Sequence, residues 1–225
     1  MRNAFIDELL SLASERDNIA LVVGDLGYSV VEPFADRFLD RFINAGVAEQ
    51  NMTGLAAGMA SEGYHVFTYS IAYFPTFRCA EQLRNDIDYH QLPVTVAAVG
   101  GGAAYGALGY SHPAVQDYAL MRCMPNMLIA APGDPMEVRA CMRYLVNNPL
   151  PSYFRLGKAG EPCFHKDVPS VEPGEWRNNQ QYRGAGVFSL PLWGALWKKL
   201  KIKQLKKHNL ALTLEDHLVD GGFGT

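Results

Sequence analysis

Short, uninterrupted apolar runs alternate with helix-period segments through residue 156, and this alternation limits the chain to few folds. Residues 2–15 carry Phe5, Leu9, Leu10 and Leu12 near helical spacing and read as an amphipathic helix. Ile19–Val23 is an apolar run ending at Gly24 and reads as a buried strand. The pattern then predicts a helix over 47–62, a strand over Tyr64–Tyr69, a helix over 75–88 and a strand over Val94–Val99. A short helix over 114–123, a strand over Met127–Ala131, a helix over 135–147 and a strand over Ser152–Leu156 complete it. Asp134 is placed as the cap of the 135–147 helix, with Pro135 at its first position. Strands that are apolar throughout are buried on both faces. The predicted fold class is therefore α/β, a doubly wound parallel sheet over residues 1–160. Such sheets bind ligands at the carboxyl ends of their strands, which points to the loops after Val23, Phe42-Ile43, Tyr69 and Val99.

The alternation stops after residue 160. Residues 161–186 are rich in Pro, Gly, Asn and Gln and read as a linker. Beyond it the pattern gives a strand over Gly186–Leu190, a basic helix over 194–208 and a strand over Leu210–Leu214. These elements are too few for a core of their own, so 187–225 reads as a reduced α/β remnant.

Charge and cysteines remove several function classes. The formal net charge is −3, but six lysines lie between Lys198 and Lys207 with no acid among them. The rest of the chain carries 14 basic and 23 acidic residues, so no general basic field draws nucleic acid. The lysine run reads as a solvated helix face, with an acidic partner or an anionic membrane as the alternative. Cys79, Cys123, Cys141 and Cys163 form no CxxC pair, so they read as free thiols rather than zinc ligands or a disulfide framework. The stretch Val94–Val115 lacks formal charge, but its glycines and Pro113 mark a strand entering a loop, not a membrane span. The acids in MRNAFIDELLSLASERDN do not fit a targeting peptide, and a cytoplasmic location is expected.

Three places could carry chemistry. Glu49 stands in Asn44-Ala-Gly-Val-Ala-Glu-Gln-Asn51, directly before an Ala- and Gly-rich helix. Burial there disfavours its charge and the helix N-terminus favours it; on spacing alone it reads first as a capping or surface glutamate. In Tyr69-Ser-Ile-Ala-Tyr-Phe-Pro-Thr-Phe-Arg78 aromatics crowd a strand-to-helix junction, as a core or as a stacking surface for a heterocycle. The glycine loop from Gly100 to His112 allows close approach to its backbone but matches neither GxGxxG nor GxxxxGK[ST]. His112 in that loop could relay a proton or bind an oxyanion, or be structural.

Taken together, NAGVAEQNMTGLAAGMA, LRNDIDYHQLPV and SHPAVQDYALMRCMPNM resemble the pyrimidine-binding domain of transketolase-like, thiamine-diphosphate enzymes over residues 2–160. SLPLWG (189–194) and LTLEDHLVDGGFG (212–224) look like pieces of that family's third domain, which would be abbreviated here. The resemblance implies that Glu49 is catalytic. Its carboxyl group would bond the aminopyrimidine ring nitrogen and stabilise the imino tautomer, which removes the thiazolium C2 proton. It implies that Phe74 stacks on the pyrimidine, that Phe77 is a second pocket aromatic, and that Asp25 and Leu26 line the cofactor cleft. His112 matches a substrate-facing, catalytic histidine, and Arg155 matches a substrate-binding arginine suited to a phosphate. Leu108 stands where many transketolases carry an acid that reads a sugar hydroxyl, and Ile71 where many carry phenylalanine.

The family binds the diphosphate and its magnesium through a GDG motif that is missing from this sequence; Gly24-Asp25-Leu26 is not one. The resemblance therefore implies the C-terminal subunit of a split transketolase. Magnesium would be ligated mainly by a partner, the N-terminal diphosphate-binding subunit, in a homodimer or heterotetramer. The expected reaction is ketol transfer between sugars or sugar phosphates. The alternatives are the beta chain of a 2-oxo-acid decarboxylase, a deoxyxylulose-phosphate-synthase-like enzyme, and a non-catalytic scaffold or decayed fragment.

Overall fold

The computed structural model describes residues 1–174, together with the backbone of 177–182, 185–189 and 192–193. Six parallel strands form the body of one sheet: β1 (Ile19–Val23), β2 (Phe42–Asn44), β3 (His65–Ile71), β4 (Val94–Val99), β5 (Leu128–Ala130) and β6 (Ser152–Leu156). Their spatial order is β2-β1-β3-β4-β6-β5. The helices are α1 (Arg2–Glu15), α2 (Glu32–Arg37), α3 (Glu49–Ser61), α4 (Phe74–Phe77), α5 (Ala80–Gln82), α6 (Asp117–Met121) and α7 (Pro135–Asn147).

Alternate residues of each strand enter two different cores. Leu21, Phe67, Val99 and Phe154 meet α1, α2 and α7 on one face. Val22, Val66, Val96 and Tyr153 meet α3, α6 and the 72–87 segment on the other. Phe5 of α1 is fully buried, with ring centroids 5.6–6.2 Å from Tyr69, Phe67 and Phe154. Each such side chain contributes about 1.5–3 kcal/mol of transfer free energy. Asp134 caps α7 as expected, accepting from the backbone N–H groups of Met136 and Glu137 at 3.0 and 2.8 Å. Its other oxygen takes the backbone N–H groups of Phe164 and His165, which fastens the chain beyond β6 to the start of α7.

The chain leaves β1 towards β2, then returns past β1 to place β3 on its other side. This reversal opens a crevice beyond the carboxyl ends of β1 and β3, where doubly wound sheets bind ligands. Residues facing the crevice from Gly24 and Ser70 lie on the α3 side of the sheet.

Three details differ from the sequence pattern. Residues 75–88 do not form one helix. α4 stops at Phe77, Cys79 turns the backbone to φ −108°, ψ 12°, and after α5 a π-helical turn spans Leu83–Asp88. Thr76 Oγ1 donates towards the carbonyls of Ala72 and Tyr73, a local side-chain bond that competes with regular helix. α2 has no counterpart in the apolar periodicity, although Glu32 and Pro33 open it as a helix start. Finally, β7 (Arg177–Tyr182) lies inside the stretch expected to be a linker and pairs antiparallel with β8 (Ala185–Ser189), close to the expected Gly186–Leu190 strand. Its sequence, RNNQQY, offers no apolar alternation to read. β9 (Leu192–Trp193) pairs antiparallel with the outer edge of β5. The expected 194–208 helix and 210–214 strand lie outside the described residues.

Candidate active site

Glu49 is the first residue of α3, and its side chain points back into the switch-point crevice. It is 1% exposed. Oε2 accepts a 2.6 Å bond from Arg78 Nη1, and Oε1 lies 3.4 Å from the Ser70 hydroxyl at the end of β3. A methyl group on Gly24, which ends β1, would sit 3.5–3.6 Å from Glu49 Cγ and Oε1. Three elements thus converge on one buried carboxylate. The cation answers the cost of burying it.

Arg78 follows α4 by one residue and lies one helical turn beyond Phe74. Its guanidinium runs back over the Phe74 ring, 4.9 Å from the centroid, before reaching Glu49. Phe74 meets the His112 ring edge to face at 5.4 Å. A continuous row therefore runs Glu49–Arg78–Phe74–His112, joining three of the residues singled out in the sequence through one that was not. Ser111 Oγ is 3.0 Å from His112 Nδ1. Phe77 stacks on Tyr73 at 5.4 Å, half-buried beside this row.

Asp25 follows Gly24 with φ +55°, a conformation that Asp tolerates better than most residues. Asn44 holds it there from both sides: its Nδ2 donates to Asp25 Oδ1 at 3.0 Å, and its Oδ1 accepts the Asp25 N–H at 3.2 Å. Leu26 comes next, half-buried on the same loop. Asn44 opens the very segment that contains Glu49, so the sequence shows it as part of a motif and not as a clamp.

Arg155 sits apart from the row, on β6, and is anchored inward. Nε donates to Asp117 Oδ2 at 2.8 Å, Nη1 to the Tyr118 hydroxyl at 3.3 Å and Nη2 to the Ala114 carbonyl at 3.1 Å. The Tyr153 hydroxyl donates to the same Asp117 oxygen at 2.7 Å. Burial opposes the guanidinium charge, but the Tyr118 and Asp117 oxygens outweigh it and hold Arg155 firmly protonated. Burial and the Asp117 charge raise the Tyr153 phenol well above its ordinary range. A β-carbon on Gly101 would collide with Arg155, so only glycine allows the loop to close over it. Arg155 also lines a cavity of about 490 Å³ together with Tyr118, Gly157 and Lys158. Asp117 and Tyr118 stand in the SHPAVQDYALMRCMPNM motif, which by itself assigns them no role.

Near Glu49, burial pushes the Cys79 thiol up to about 11, so it stays protonated at neutral pH. Among the described residues no group of three His, Cys, Asp or Glu side chains converges to hold a metal ion. No described helix is long and apolar enough to cross a membrane.

A buried acceptor beside a half-buried aromatic face suits a flat heterocycle with polar edges. Residues 1–160 match the family model described as transketolase, pyrimidine binding domain. The chain belongs to the transketolase pyrimidine-binding family. It is 39% identical over 167 residues to an apulose-4-phosphate transketolase subunit of Phocaeicola vulgatus, an alignment covering 74% of this chain and 54% of that relative. It is 31% identical to a putative transketolase C-terminal section of Methanocaldococcus jannaschii, over 100% of this chain and 79% of that relative. A solved structure described as a split gene transketolase, inactive beta4 tetramer, superposes with a TM-score of 0.72 at 36% identity, covering 80% of this chain and 58% of that one. The chain thus spans little more than half the length of the first of these relatives and of the solved structure. The matched residues include the whole of the Glu49 crevice, from Gly24 to His112, and Arg155 as well.

Proposed function

We propose that this chain is the pyrimidine-side, C-terminal subunit of a two-chain transketolase that transfers a ketol unit between sugars or sugar phosphates. The observation that carries the reading is Glu49: a carboxylate 1% exposed, first in α3, at the reversal of a parallel sheet, with Phe74 beside it. An acceptor and an aromatic face are complementary to the edge and the plane of an aminopyrimidine, so the residues present fit thiamine diphosphate. When bound, that cofactor supplies the nucleophilic carbon and the electron sink for breaking a bond next to a carbonyl.

The chain's own residues divide the remaining work. Glu49 bonds the pyrimidine ring nitrogen, and the surrounding apolar residues keep water from competing for it. Phe74 stacks on the ring, with Phe77 behind it and Asp25 and Leu26 along the cleft. His112, touching Phe74, faces the substrate and can hold or pass a proton at its ring nitrogen. Arg155 reads an anionic substrate group at the far end. Because its fork is already bonded to Asp117, Tyr118 and Ala114, it acts as a preset charge rather than as a free clamp. Magnesium is ligated mainly by the partner, an N-terminal diphosphate-binding subunit carrying a GDG motif. The assembly is a homodimer or a heterotetramer in the cytoplasm. Residues 1–160 form the pyrimidine-binding domain, 161–186 a linker and 187–225 a shortened third domain.

The test is co-expression with the candidate GDG-bearing subunit, followed by calorimetric titration with thiamine diphosphate and magnesium. Tight binding by the pair and weak binding by either chain alone is the expected result. Absence of binding by the pair refutes the enzyme reading and leaves a scaffold; release of carbon dioxide from pyruvate by the pair replaces ketol transfer with 2-oxo-acid decarboxylation.

A further inference from the structure

Glu49 has two oxygens with different surroundings. Oε2 is committed to Arg78 at 2.6 Å. Oε1 faces Gly24 and the long, 3.4 Å contact from Ser70, and is the oxygen left for an incoming group. The two partners also differ in exposure: the Glu49 side chain is 1% exposed and that of Arg78 44%. The guanidinium therefore lies at the mouth of the crevice, between the acid and bulk water, with its plane supported by Phe74. Among the described residues it is the one cation within 4.0 Å of Glu49.

We propose that Arg78 is a positioning residue: by holding Oε2 of Glu49 it leaves Oε1 turned towards Gly24 as the oxygen that meets an incoming ring. The inference rests on the functional reading above and adds which oxygen makes the bond that reading needs. Arg78 thereby orients the acid without touching the reacting atoms.

Lysine retains the charge of Arg78 but not its planar stacking, whereas methionine retains the bulk and loses the charge. The co-expressed pair is loaded with thiamine diphosphate and magnesium, and two quantities are read: affinity by calorimetry, and exchange of the cofactor's thiazolium C2 proton with deuterium by NMR. No sugar substrate is needed. R78M is expected to bind with affinity within about threefold of wild type but to exchange roughly 10²-fold more slowly, while R78K stays within about tenfold. E49Q and E49Q/R78M are expected to exchange equally slowly, because Arg78 acts only through Glu49. R78Q replaces R78M if the latter does not assemble. Wild-type exchange in R78M, or R78K as slow as R78M, overturns the positioning role of the Arg78 charge and leaves the functional reading intact. Failure of the wild-type pair to bind the cofactor removes that reading and Arg78's role with it.

Discussion

Two acid–arginine pairs stand at the carboxyl ends of the sheet, and they are built in opposite ways. In the Asp117–Arg155 pair both partners are buried, at 0% and 13% side-chain exposure, and Tyr153, Tyr118 and Ala114 add further bonds. In the Glu49–Arg78 pair only the acid is buried, while the arginine is about half exposed. The first is a structural knot that ties β6 to α6, with Arg155 still lining a cavity. The second is open on its cationic side, where a side chain can move without disturbing the core. Burial of the acid alone does not separate the two; the exposure and the remaining partners of the cation do.

The comparison can be broken most directly at Asp117. Replacing Asp117 with Ala leaves Arg155 buried without its counter-charge and is expected to destabilise the chain by about 3–5 kcal/mol, seen as a lower urea midpoint. A loss below about 1 kcal/mol would mean that Arg155 escapes to solvent and that the knot is as loose as the other pair. At Glu49 the expected effects are reversed. E49Q is expected to lower turnover of the cofactor-loaded pair by about 10²-fold or more, while folding stability of the single chain changes by less than about 1 kcal/mol, since Arg78 can turn to water. A stability loss matching that of Asp117→Ala would erase the distinction.

His65 sharpens the comparison from a third side, as a buried titratable group with a hydroxyl partner rather than an ion. It is 4% exposed and lies 2.9 Å from Thr95 Oγ1, which in turn is 2.8 Å from Ser152 Oγ. Burial, with a smaller contribution from Arg16, lowers its pKa from 6.5 to about 4. Between these values the unfolded chain binds the proton and the folded chain does not. Stability is therefore complete above pH 6.5 and falls as the pH drops towards 4, by at most about 3 kcal/mol. Urea denaturation at pH 7 and pH 4.5 should show this slope in wild type and a shallower one in His65→Gln. Equal slopes would place the acid sensitivity in the carboxylates instead.

The sheet was legible because burial on both faces leaves strands such as Ile19–Val23 apolar throughout and Val94–Val99 apolar but for Thr95, in runs too short for a helix. Glu49 was legible as a carboxylate at a helix entry, and its neighbours Phe74 and His112 through the motifs around them. Arg78 was not. A helix drawn unbroken over 75–88 puts it on the wet face, and its contact with Glu49 runs back over the Phe74 ring to a segment 29 residues earlier, which helical periodicity does not show. Asp117 and Arg155 lie 38 positions apart and meet only because β6 is inserted between β4 and β5. Pairings made by strand order have no local trace in the chain.

The same strand order leaves two rims to the sheet, and both are blunted. β2 is only three residues long, and β9 covers β5 with a short antiparallel ladder from Trp193 to Ile129 and Leu192 to Ala130. Exposed strand rims are templates on which identical chains stack into aggregates. Leu192 and Trp193, far from the Glu49 crevice in sequence, supply the backbone that closes the open side of β5.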